Sequence, residues 1–246
     1  MDLDRITHPL RLAKGSHQPG SGKGCAMNVI SYINGDGRIT DFPAGSARPL
    51  AVLVQSCNDL LAGPDGYLSP ENSLLALELA WQTVGTADVP HTVMHAWMAE
   101  LLTNPTLGVV RYAKISAIKA IVDIAELHRD AASGDMPPIA AWDAAERAAR
   151  AAARAINPSP NAAGLYALRA AYQSTALADT HRSTTAESVT GNAVRAHALA
   201  TGGTKASRMV ELTRHAIRSW RHLARLDNAG DISPESVDSA RQLIAA

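Results

Sequence analysis

The strongest constraint on this chain is the period of its apolar residues. Leu50, Leu53, Val54, Cys57 and Leu61 fall at the three- and four-residue spacing of a single helix face. The spacing returns in Val93, Met94, Trp97, Leu101 and again in Ile118, Ile121, Val122, Ala125. No stretch alternates apolar and polar residues long enough to make a strand, and no repeat of fixed period is sustained. Between the periodic stretches stand breakers such as Asn34-Gly35, Gly63-Pro64-Asp65-Gly66, Asn104-Pro105, Pro137-Pro138 and Asn157-Pro158. The expectation is an all-α chain, a multi-helix bundle of about nine or ten helices with no sheet. Aromatics are only 4% and Phe42 is the single phenylalanine, so the core must come from aliphatic side chains and alanine. Small side chains let helices approach closely.

Helix starts and stops refine this. Ser69-Pro70-Glu71 and Ser233-Pro234-Glu235 each combine a capping hydroxyl, a first-turn proline and an acid at the positive end. Helices are expected over about 25–33, 47–61, 69–83 and 90–103, with the longest over 107–132. Beyond Pro138 the chain becomes alanine-rich, which favours helix with little packing. Further helices are expected near 140–155, 162–180, 185–200 and 204–226, with a short terminal one after Ser233. The proline-rich break suggests domains 1–134 and 135–246, or one continuous domain. Residues 1–24 are polar and glycine-rich, a loop carrying Arg5, Arg11, Lys14 and Lys23.

Twenty-three basic residues balance twenty-three acidic ones, so no net field steers the protein to nucleic acid or an anionic membrane. Two cysteines make no disulfide framework, no run of about 18 apolar residues occurs and no signal pattern opens the chain. A reduced, cytoplasmic protein is expected, with no membrane partner and no cofactor. The alanine-rich face 140–155 would also suit a homodimer.

The candidate chemistry lies in the first third. Cys25 follows Gly22-Lys23-Gly24 at a helix start, where the dipole and a lysine would favour thiolate. His17 could fold back as its base, with Asp41 to orient it, which outlines a cysteine nucleophile. The plainer reading is a small buried residue opening a helix. Gly20-Ser21-Gly22-Lys23-Gly24 lacks the G-x-x-x-x-G-K-[ST] spacing of a phosphate loop. His91 and His95, four apart, could share a metal, but core-edge histidines fit equally. Lys205, Arg208, Arg214, Arg218, Arg221 and Arg225, with His215 and His222, make 204–225 locally basic against Glu211 alone. A nucleic acid could use it, though a solvated face paired with acids elsewhere is the commoner outcome.

Several short-spaced residues also recur together: Gly15-Ser16-His17, Gly24-Cys25-Ala26-Met27, Ser31-Tyr32, Gly35, Thr40-Asp41-x-Pro43, Pro49 and Asn58-Asp59. Over residues 15–61, and at Thr83-Val84-Gly85-Thr86, this resembles an uncharacterised helical protein family of actinobacteria and their phages. That family's pattern reads G-S-H, C-x-M-E, S-D-x-P-x-C and N-D. Here its glutamate is Asn28 and its second cysteine Gly45. If the resemblance implies a metal centre, His17 and Cys25 keep two of four ligands, too few for structural zinc unless Asp41 substitutes. If it implies a cysteine nucleophile, Cys25 survives.

Three functions follow as expectations. The first is a non-catalytic helical binding protein, with His17, Lys23, Cys25, Asn28, Asp41 and Arg48 facing a small molecule or protein across loops 15–46. The second is a hydrolase or transferase using Cys25, His17 and Asp41. The third is a nucleic-acid or host-complex binder acting through 204–225.

Overall fold

The computed structural model describes residues 12–17, 23–179, 185–200 and 206–226. These are all-α: nine helices and no strand among the described residues. The terminal helix expected after Ser233 lies outside them. No described helix is long and apolar enough to cross a membrane.

The helices group into two compact units, residues 1–88 with 206–246, and residues 89–205. The proline-rich break near 135 therefore falls inside the second unit rather than between units, because the helices on either side of it pack together.

The first unit contains α1 (Ala26–Ile33), α2 (Arg48–Leu61), α3 (Pro70–Trp81) and α9 (Ala206–Leu223). Ser69 Oγ accepts from the Asn72 amide at 3.2 Å, so the start of α3 is the one its sequence announces. The α2 stripe is wholly buried, with Leu50, Val54 and Cys57 at zero exposure. It packs against α9, whose buried face is Met209, Val210, Thr213, Ala216, Ile217 and Trp220. The Trp220 indole donates to the Thr86 carbonyl at 3.1 Å, tying α9 to the turn after α3.

The arm before α1 is more than a polar loop. Leu12 is fully buried and Ala13 nearly so. The Ala13 amide donates to Gly24, that of Lys14 to Gly66, and that of Leu68 to the Leu12 carbonyl. Asn58 Nδ2 donates to the Ala13 carbonyl and Asn58 Oδ1 accepts from the Ala26 amide. One buried asparagine thus joins the arm, α1 and α2.

The second unit contains α4 (His91–Thr103), α5 (Ile115–Ser133), α6 (Ile139–Arg154), α7 (Pro158–Ser174) and α8 (Thr185–Ala200), with 3-10 turns at Val109–Tyr112 and Thr175–Ala178. The helix expected from 107 is broken: the 3-10 turn precedes an α5 that starts only at Ile115. The turn has a partner in α7. A Cβ at Gly164 would lie 2.9 Å from the Tyr112 carbonyl, so glycine permits that approach. Gly134, in the left-handed region, ends α5 where the sequence places a terminator. The core is Trp97, Met98, Leu101, Leu102, Ile121, Ile124 and Leu168, with three buried histidines among them.

Candidate functional site

Helix α1 begins at Cys25, the N-cap residue. Cys25 and Asn28 form a reciprocal capping box, and Asn28 Oδ1 accepts from the Cys25 amide at 3.0 Å. The turn that follows α1 carries Asp41 back to this helix start. The Asp41 carboxylate then accepts from Ser16 Oγ at 2.5 Å, Asn28 Nδ2 at 2.8 Å and Cys25 Sγ at 3.4 Å. The arm, α1 and the 36–47 turn meet on one carboxylate. Gln55 Nε2 approaches the Asp41 carbonyl from α2.

Cys25 is 1% exposed. Burial, with the Asp41 charge also against ionisation, pushes its thiol up to about 12, although the amides of the helix start oppose the shift. The sequence reads the dipole and Lys23 as favouring thiolate. Burial outweighs both, and the sulfur stands as a protonated donor. His17 does not bond to the sulfur. Its Nε2 is buried and has no hydrogen-bond partner. The expected order of cysteine, histidine and carboxylate is therefore not the one hydrogen-bonded: the thiol meets the carboxylate directly, and His17 Nε2 bonds to neither.

Of the other residues read as site members, Lys23 is exposed beside the Tyr67 ring, 5.3 Å from its centroid. Arg48 is exposed over Phe42 at 4.1 Å. Asn28 is buried in the cap. Cys57, a core residue, is also pushed up to about 12 by burial.

His95 and His91 lie in the second unit. Their rings meet edge to face at 4.6 Å. His95 is fully buried, with Nδ1 2.7 Å from His128 Nδ1. His128 Nε2 is 2.9 Å from Ser174 Oγ, which donates its own proton to the Ala171 carbonyl. Ser174 then accepts from His128 Nε2, and His128 Nδ1 accepts from His95. This leaves His95 Nε2 without a proton, and it has no partner. Desolvation and neighbouring imidazoles lower His95 to about 4 and His128 well below its ordinary value. Among the described residues, no three His, Cys, Asp or Glu side chains gather as a metal's ligands.

His128 and His197 escape sequence reasoning because a lone histidine on an apolar helix carries no spacing signal. His197 donates from Nε2 to the Leu107 carbonyl and accepts from the Tyr112 hydroxyl, a buried and satisfied group lowered to about 4 by burial. On α9, Arg214 reaches Glu78 and Arg221 donates to the carbonyls of Gln82 and Val84. Arg208, Arg218 and Arg225 are exposed.

No family model matches the chain, and no solved structure does. Over 130 residues it is 28% identical to tetraacyldisaccharide 4'-kinase of Maricaulis maris (strain MCS10). The shared stretch is 52% of this chain and 34% of that protein, so the chain spans about a third of that relative's length.

Proposed function

We propose that the chain is a non-catalytic helical binding protein whose recognition surface is built by residues 12–17 and 23–48 of the first unit. The observation that carries this reading is the Asp41 carboxylate, which fastens three chain segments through Ser16, Cys25 and Asn28. That is how a fixed surface is held, with the cations of Lys23 and Arg48 outside it. A buried thiol with a raised pKa bonded to a carboxylate is a poor nucleophile. His17 Nε2, buried and unpartnered on the arm, is the group a bound molecule would complete. The partial kinase match does not alter the reading: it covers a minority of that protein, and the phosphate-loop spacing does not occur in this sequence.

Capture from a lysate by wild-type, Cys25→Ser and Lys23→Glu/Arg48→Glu proteins tests this. Cys25→Ser should fold and retain whatever wild type retains, since serine replaces the cap in kind. The double charge reversal should lose it. Loss of capture by a folded Cys25→Ser protein, or full retention by the charge reversal, would sink the reading.

A further inference from the structure

Helices α6 and α7 enclose a pocket of about 250 Å³, lined by Arg150, Ala153 and Arg154 from α6 and by Leu165, Arg169 and Tyr172 from α7. That is below the roughly 300–1,000 Å³ of sites for drug-sized ligands, so an occupant must be small. Among the described lining residues three are arginines and none is acidic. Like charges gathered in one concavity repel until an anion offsets them, and they draw that anion in.

The guanidiniums are held in place without being used up. Arg150 Nε donates to Glu146 at 2.7 Å, and its guanidinium lies over the Tyr172 ring at 4.3 Å. Arg169 lies over Tyr166 at 5.0 Å, and Arg195 of α8 adds its charge 5.8 Å from the same ring. Resting on a ring restrains a guanidinium without occupying its N–H donors. Among the described residues, neither Arg154 nor Arg169 meets a carboxylate. Three guanidiniums in the lining against the one carboxylate of Glu146 leave a surplus of two positive charges. A phosphate monoester carries about two negative ones at neutral pH, on oxygens that suit the planar N–H fork. A carboxylate or a phosphodiester carries only one.

We propose that the α6–α7 pocket binds a small phosphate monoester, its phosphoryl oxygens accepting from Arg150, Arg154 and Arg169, with Ala153 and Leu165 against the organic part. The pocket lies in a different unit from the Asp41 cluster and stands independently of the function proposed for it.

Calorimetric titration of glycerol 3-phosphate into the full chain, at low ionic strength and without phosphate buffer, tests the proposal. The ester should saturate below about 1 mM, and dimethyl phosphate, with one charge fewer, should bind roughly tenfold more weakly. Arg154→Gln, at an exposed position, should weaken the ester about tenfold. Arg154→Gln combined with Arg169→Gln should abolish binding. Arg208→Gln, at an exposed position of the other unit, should leave it unchanged. Phosphatidylcholine vesicles containing phosphatidate, whose headgroup is also a monoester, separate two sources of the ligand. Sedimentation with them that the double variant loses assigns the pocket to a lipid headgroup, and no sedimentation assigns it to a soluble ester. The proposal is overturned by no saturation up to about 20 mM, by dimethyl phosphate matching the ester, or by a folded Arg154→Gln protein binding as wild type does. A single-stranded oligonucleotide held more tightly than the ester, and released by the double variant, would also overturn it in favour of an extended nucleic-acid face. If the double variant does not fold, Arg154→Gln and the diester control decide the matter.

Discussion

Asp41 is the residue on which most depends. Replacing it with alanine strands three donors from two segments, the arm and the start of α1, two of them on buried residues. Hydrogen bonds to a charged group are worth about 1.5–3 kcal/mol. Asp41→Ala should therefore lower unfolding free energy by about 2–3 kcal/mol in urea denaturation, and Asp41→Asn by about half as much, since one acceptor oxygen remains. Cys25 should behave as a hydrogen-bond donor and not as a reagent. Native protein at pH 8 should react with a disulfide probe far more slowly than unfolded protein, where both thiols return toward about 8.5. A fast native phase titrating below that value would restore the nucleophile. Cys25 and Asp41 were legible as neighbours in the sequence. The sign of the thiol shift was not, because spacing reveals a helix dipole but not the burial that overrides it.

At the scale of elements, α4, α5 and α7 are stitched by an unbroken polar run from His95 through His128 to Ser174. All three side chains are fully buried. Unfolded histidines titrate near 6.5, whereas His95 and His197 sit at about 4 and His128 well below its ordinary value. Between those values the unfolded chain binds more protons than the folded one, so stability falls as pH drops from 6.5. Each of His95 and His197 should cost of order 3 kcal/mol by pH 4, and thermal melts from pH 7 to 4 should show a steep loss. Gly164→Ala gives a second check. Alanine favours a helix by about 1 kcal/mol, but here its Cβ would meet the Tyr112 carbonyl at 2.9 Å. The variant should be less stable than wild type, against propensity. Helix existence was legible from period and caps, as at Ser69 and Gly134. The break before Ile115 was not, since it is imposed by an approach to α7 that the local sequence does not encode.

At the scale of the whole molecule, the continuous unit 89–205 is separate in sequence from the discontinuous one that needs α9. Residues 89–205 expressed alone should fold, giving a helical spectrum and one cooperative melt. Residues 1–88 alone should not, because the face of α2 that α9 covers would lie open. Adding a peptide spanning 206–226 should restore order to 1–88. The sequence hid this grouping: Pro137-Pro138 is a conspicuous break, while no composition shift marks residue 88 or 205. Contacts between distant segments, such as Trp220 with Thr86, decide the grouping and leave no local trace.

That closure by α9 also sets an order of events during synthesis. The first three helices leave the ribosome early and must wait through the making of the entire second unit, roughly ten seconds at ordinary elongation rates, before their covering helix exists. Residues 26–81 are thus open to chaperones through that interval, and a slower codon run within 89–205 would prolong the vulnerability.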